Sequence, residues 1–519
     1  MKKNLILGII IWANAFISIF GELVNERILA ESFPQVFNLS SLNGENGFAI
    51  NGTSLGSLGF AIKEAGDIND DGRKDILIVF MDGENINKAY VLFGKDEGWP
   101  SSISVDDNWI FLNGGMVIIG SNDGILPMAA CGVGDINLDG YDDLLFGDVA
   151  INNSTGQSYI IFGASEPLPR IKLHDLDGRD GFVINGVNQN DFSGGFVSGL
   201  GDVNGDGCPD FIIGTGVRGV KNVTNQIYVV FGDDQNRWPA SINLADLDGR
   251  NGFVINGVSP NDVGSYSISG VGDVNGDRIN DIIIGNPSAN NYQGQSYVIF
   301  GKKLIEDWPA QFNLADLDGK NGFTINGIAI GDYCGSVVSG VGDVNKDGLD
   351  DMLIAAQWAK NYGEIYVVFG DKGPWPAQFN VTSLNGKNGF HMNGVPNNGG
   401  YTIGGAGDVN KDGFDDIVIG ASSVNNEIGQ SYIVFGSEGF KPFLNLTNLD
   451  PLDGFTVNGI NVGDWSGDSV GSMGDFNKDG IDDFSISASR ANNIAGQGYV
   501  IYGQAQLGKN RKGKQYARN

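Results

Sequence analysis

Seven copies of one nine-residue pattern, Asp-x-Asn-x-Asp-x-x-x-Asp, with Gly at the sixth position in all but one, recur at intervals of 65 to 71 residues along this 519-residue chain. Such regular spacing means one supersecondary unit copied seven times, so the chain must be read as a repeat architecture. The copies begin at Asp67, Asp135, Asp202, Asp273, Asp343, Asp408 and Asp475. Asparagine follows at position 3 each time, as Asn69, Asn137, Asn204, Asn275, Asn345, Asn410 and Asn477. Position 5 is Asp71, Asp139, Asp206, Asp277, Asp347, Asp412 and Asp479; position 9 is Asp75, Asp143, Asp210, Asp281, Asp351, Asp416 and Asp483.

Each pattern lies between two apolar stretches. Before it comes a small-residue strand such as 194–199, and after it a continuous apolar strand such as 281–285. A third strand ends in aromatic-Gly, at Gly94, Gly163, Gly232, Gly301, Gly370, Gly436 and Gly503. Continuous apolar runs of this length predict strands buried on both faces. A fourth element reads Phe-Asn-Leu or Ile-Asn-Leu, then Leu-Asp-Gly or Leu-Asn-Gly, then Gly-Phe-x-Ile-Asn-Gly, as in 242–257; the copy near 103–114 is degenerate. One copy, 37–52, precedes the first acidic loop and none follows Gly503. The expected fold is therefore all-β, a seven-bladed β-propeller of four-stranded blades in which the N-terminal segment supplies the outer strand of the last blade and closes the ring.

The acidic loops predict calcium sites. Ca²⁺ takes six to eight oxygens, which side chains at positions 1, 3, 5 and 9 and the backbone carbonyl of position 7 can supply. The position-7 residues are Arg73, Tyr141, Cys208, Ile279, Leu349, Phe414 and Ile481. Position 12 of the third copy is Ile213, inside a strand, so an EF-hand is excluded and the ion would sit in a turn between two strands. A loop this rich in protein oxygens suits Ca²⁺ better than Mg²⁺. The plainer alternative, that Asp, Asn and Gly merely form turns, does not account for seven identical spacings. Position 6 is Gly except in the fourth copy, Arg278, where a side chain opposes the left-handed backbone; that loop is expected to bind most weakly.

The unit resembles the FG-GAP repeat of integrin α-subunit propellers, with its acidic loop, its Gly-Ala-Pro-like turn (285–287, 420–421) and its Tyr-Val-x-Phe-Gly strand. The resemblance implies a seven-bladed propeller with loop calcium on one face and ligands met on the other. Two departures separate this chain from an integrin subunit: every repeat keeps its loop, and no further domain or membrane span follows the ring. It resembles the stand-alone, secreted kind of FG-GAP protein.

The remaining signals are weaker. A net charge of −30 excludes nucleic acid as a partner. Lys2 and Lys3 precede an apolar run over 5–20, which reads as a signal peptide over 1–21, with cleavage after Gly21 or as late as Ala30, or alternatively an uncleaved anchor. The propeller is expected over 33–505 and a basic tail (Lys509, Arg511, Lys512, Lys514, Arg518) over 506–519. Cys131, Cys208 and Cys334 give no disulfide framework and read as buried residues. Sequons at Asn38, Asn51, Asn152, Asn153, Asn222, Asn380 and Asn445 would be glycosylated in a eukaryotic secretory pathway.

Catalytic signatures are poor. Residues 52–56 fit a nucleophile-elbow pattern by chance in a Gly-rich chain, and only His174 and His391 could act as a histidine base. Residues 503–510 miss the Ser or Thr of a phosphate loop. Trp99, Trp238, Trp308 and Trp375, each before Pro, read as covers for a blade edge. Asp191, Asp262, Asp332 and Asp464 each lie eleven residues before an acidic loop and read as turn residues; the variable residues after them, Phe192, Val263, Tyr333 and Trp465, are the better candidates for ligand contact. The expected protein is a non-enzymatic, secreted, monomeric calcium-binding propeller that meets an extracellular protein or glycan, with a carbohydrate-directed lectin, lyase or hydrolase as the alternative.

Overall fold

A computed structural model describes residues 33–52, 56–82, 88–95, 98–120, 129–216, 226–234, 238–258, 267–303, 308–395 and 401–505. The stretch read as a signal peptide, the basic tail, Asn222, Val263 with its neighbours, and most of 52–56 and 503–510 lie outside them.

Seven sheets form seven blades, each with its first strand innermost. In the third blade the order runs Phe196–Gly201, Asp210–Gly214, Gln226–Val230, Gly252–Asn256, all antiparallel. The middle strands are buried on both faces, as their continuous apolar sequence requires, and one apolar cluster fills each junction between neighbouring blades.

Closure is as expected: Gly47–Asn51 pairs with Gln497–Ile501 as the outer strand of the seventh blade. The blades, however, are five-stranded and not four-stranded. The additional strand is the short Phe-Asn-Leu segment, which pairs parallel to the outer strand of the preceding blade. Ser241–Asn243 thus joins the second blade, a 3₁₀ turn over Leu244–Asp246 follows, and Gly252–Asn256 joins the third. One sequence element thus straddles two blades. The N-terminus uses this twice: Val36–Asn38 joins the sixth blade and Gly47–Asn51 the seventh.

The tryptophans cover blade edges by stacking on the outer-strand phenylalanines: Trp238 on Phe182 at 4.5 Å, Trp308 on Phe253 at 4.3 Å, Trp375 on Phe323 at 4.2 Å and Trp99 on Phe48 at 4.6 Å. Phe440 and Phe33 take the same place against Phe390 and Phe455. All three cysteines are buried and unpaired. At the degenerate copy the 3₁₀ turn is replaced by a helix, Asp107–Leu112, capped by Asp106 accepting from the Trp109 N–H.

Candidate metal centres and the opposite loop face

Because the first two strands of a blade are antiparallel, all seven acidic loops emerge at one end of the ring. Each folds by the same side-chain-to-backbone bonds. In the third loop Asp202 Oδ1 accepts from the Asp206 N–H at 3.1 Å and Oδ2 from Gly207 N–H at 2.8 Å, while Asn204 Oδ1 accepts from the same Asp206 N–H at 2.8 Å. Asp206 Oδ1 accepts from Cys208 N–H at 2.8 Å. Positions 1, 3 and 5 are thereby gathered on one turn.

Two backbone positions must be left-handed for this. Position 6 is one, and Arg278 adopts it with φ 71° while its N–H still reaches Asp273 Oδ2 at 2.7 Å. The broken rule at Arg278 costs backbone strain but not the loop's hydrogen bonds. Position 4 is the other, and it is occupied in part by Asp70, Leu138, Lys346, Lys411 and Lys478, all with φ between 52° and 62°. Sequence reasoning did not single out position 4, since only Gly advertises a left-handed site.

Position 9 has a different role from the other three. Asp210 is fully buried; its Oδ2 accepts from Val203 N–H within the loop and its Oδ1 from Gly232 N–H, the glycine that ends the third strand, both at 2.9 Å. All seven loops repeat the strand-end bond, with Gly94, Gly163, Gly301, Gly370, Gly436 and Gly503 as the other donors, and six repeat the in-loop bond from position 2; in the seventh the Asn477 N–H donates to Asp483 Oδ2 instead, at 3.2 Å. A Cβ on Gly301 would lie 2.3 Å from the Asn280 carbonyl oxygen, so the close approach of this glycine to the loop backbone leaves no room for a side chain. Burial, opposed by these two donors, pushes the Asp75 carboxyl up to about 7 and Asp351 up to about 8. Asp143, Asp210, Asp281, Asp416 and Asp483 are likewise pushed well above the carboxylate range. A divalent cation alongside would draw them the other way.

The donor set fits a hard cation. Among the described residues no three His, Cys, Asp or Glu side chains cluster tightly enough to form a metal group by themselves. What each loop offers is a mixed set of oxygens from two carboxylates, a carboxamide and a main-chain carbonyl, with the position-9 carboxylate committed mainly to backbone donors. That set excludes the thiolate and imidazole chemistry of zinc. Cys208 adds nothing beyond its carbonyl, since burial and the nearby Asp206 push its thiol up to about 12.

The other face carries the loops between second and third strands and those leading into each next blade. Here the repeat varies. Asp191, Asp332 and Asp464 close turns, accepting from Asn188 Nδ2, the Ala329 N–H and the Asn461 N–H respectively. The residues after them differ in surroundings: Tyr333 lies 5.1 Å from Tyr292, ring centroid to centroid, and Arg490 stacks 3.4 Å from the Trp465 ring. Around the fifth blade Tyr292, Ile330, Trp358 and Tyr362 are 41%, 74%, 48% and 50% exposed, and Trp358 N–H donates to the Asp332 carbonyl. Sequence reasoning found Tyr333 by phase but missed Trp358 and Tyr362, which fall in a turn outside the repeated motifs.

The FG-GAP repeat family matches residues 265–299 and 399–434, each spanning the inner three strands of a blade and the acidic loop between the first two. The chain is thus a β-propeller that carries FG-GAP repeats and resembles the integrin α-subunits. Integrin alpha pat-2 of Caenorhabditis elegans is 27% identical over 248 residues, which cover 45% of this chain and 18% of that protein. Integrin alpha-V of Gallus gallus is 26% identical, covering 45% and 20%. A Bos taurus protein, phosphatidylinositol-glycan-specific phospholipase D, is 33% identical over 193 residues, covering 33% and 21%. The matched region spans less than a third of the length of these curated relatives. Among the described residues of this propeller no helix is long and apolar enough to cross a membrane.

Proposed function

We propose that this FG-GAP propeller is a secreted or cell-surface binding module, monomeric, whose ring is held by up to seven calcium ions and whose ligand meets the face opposite the acidic loops. The observation that carries the reading is the contrast between the two faces: seven loops keep one hydrogen-bond scheme on one side, while exposed residues differ from blade to blade on the other. Uniform sites supply stability, and specificity requires sites that differ. Integrin α-subunits among the relatives support an extracellular setting, as does the apolar N-terminal stretch.

Calcium would be held by the side chains of positions 1, 3, 5 and 9 and the carbonyl of position 7, with position 9 also closing the loop through its backbone donors. Bound there, it would neutralise carboxylates that otherwise repel one another within a short turn. Each site saturated at a hundredfold excess over its Kd adds about 2.7 kcal/mol to the folded state. Adding Ca²⁺ to chelated protein is therefore expected to raise Tm by on the order of 10 °C or more, followed by calorimetry. An unchanged Tm would remove calcium from the account.

The row of exposed aromatic side chains around the fifth blade favours a second reading, a glycan ligand, because ring faces suit sugars as well as protein anchors. Trp358→Ala is expected to abolish ligand retention on a glycan or matrix-protein array with Tm unchanged within about 1 °C. Retention at wild-type strength by the variant would place the ligand elsewhere. Turnover of a glycan on the array would favour the carbohydrate-active alternative.

A further inference from the structure

Position 8 of each acidic loop lies at the boundary with the preceding blade, and its contacts are not uniform around the ring. Asp350 in the fifth blade receives the Asp273 N–H on Oδ2 at 2.8 Å and returns its own N–H to the Asp273 carbonyl at 3.1 Å. Asp273 is position 1 of the fourth loop. Asp142 holds Asp67, and Asp415 holds Asp343, by the same two bonds. Asp482 takes the Asp408 N–H at 2.9 Å, and Asn280 donates its N–H to the Asp202 carbonyl at 3.0 Å. The glycine before each position 1 makes room for this: a Cβ on Gly272, Gly342 or Gly407 would meet the clasping carboxylate at 2.0 to 2.4 Å.

Among the described residues, two junctions show no such clasp. Position 8 of the third loop is Pro209, which has neither N–H nor carboxylate to offer Asp135. Position 8 of the first loop is Lys74, which pairs with Glu64 at 3.0 Å and approaches Asp142 at 3.7 Å instead of holding Asp475.

We propose that the position-8 residues are positioning residues that couple neighbouring loops, so that calcium is taken up by two strings of sites and not by seven independent ones. One string joins the loops of the first and second blades, the other those of the third to seventh. This rests on the calcium reading given above. The physical route is short: position 1 is a side-chain ligand of its own loop, and the next loop fixes both its main-chain N–H and its carbonyl at Asp67, Asp273 and Asp343, the N–H alone at Asp408 and the carbonyl alone at Asp202. Ordering either loop therefore orders part of the other. The arrangement also gives the Arg278 loop outside support, because its position 1, Asp273, has the complete two-bond clasp from Asp350.

The test is site-resolved hydrogen exchange on the chelated full chain across a Ca²⁺ titration, comparing wild type with Asp350→Ala and Pro209→Asp. In wild type the loops at 273–281, 343–351 and 408–416 are expected to become protected at one calcium midpoint. Asp350→Ala should separate 273–281 from 343–351 by at least threefold in midpoint, and Pro209→Asp should move 135–143 to the midpoint of the longer string. A loss of global stability without separation of midpoints would be the effect of a merely structural contact and would overturn the coupling. If calcium protects every loop with midpoints that neither substitution moves, the coupling is wrong and the calcium reading stands. If calcium protects no loop, both are wrong.

Discussion

Asp281→Ala is expected to destabilise the ring by about 3–5 kcal/mol, and to do so in chelator as well as in calcium. The side chain is fully buried and accepts the Val274 and Gly301 N–H groups at 3.0 and 2.8 Å. Removing it leaves two buried donors without acceptors, each costing about 1–3 kcal/mol. Asp281→Asn keeps one carboxamide oxygen and should lose roughly half as much. Chemical unfolding in EDTA reads the difference directly. An Asp281→Ala variant as stable as wild type in EDTA would mean that position 9 matters only as a calcium ligand and that its hydrogen bonds are incidental.

Phe48→Ala should be at least as damaging, by about 3–5 kcal/mol for the cavity alone. Phe48 is fully buried in the outer strand of the seventh blade, stacked on Trp99 and in contact with Phe476 and Tyr502. The counterpart Phe253→Ala makes a similar cavity against Trp308 in an internal blade. Only Phe48, however, belongs to the strand that brings the beginning of the chain to its end, at the junction where Lys74 provides no clasp. Phe48→Ala should therefore also increase the radius of gyration in small-angle scattering, and Phe253→Ala should not. Equal scattering profiles for the two variants would show that closure does not depend on this side chain.

The number of blades, the offset that closes the ring and the identity of the acidic loops were all legible because they are periodic, and a period can be read without knowing contacts. The fifth strand was not, since Ser241–Asn243 pairs with residues that lie 58 positions earlier and belong to a different blade. Position 9 was legible as an acidic residue but not as a buried one; only the arrival of Gly232 from the end of the third strand makes it the lock between loop and sheet. In the same way nothing in the sequence singles out Gly272, which becomes a requirement when Asp350 of the next blade fills the place of its side chain. On the opposite face Trp358 and Tyr362 carried no sequence signal, because exposure is a property of what surrounds a residue.

What the sequence by itself determined is everything set by local chemistry and by repetition: the strands, the loop donors and the sevenfold count. The tertiary structure alone decided which blade each short strand joins, which carboxylates face backbone donors and which loop holds its neighbour. Those depend on contacts between residues of different repeats, and identical repeats do not record which copy touches which. The exceptions that break the identity, Pro209, Arg278 and Lys74, acquire their meaning only from the neighbours that the ring places beside them.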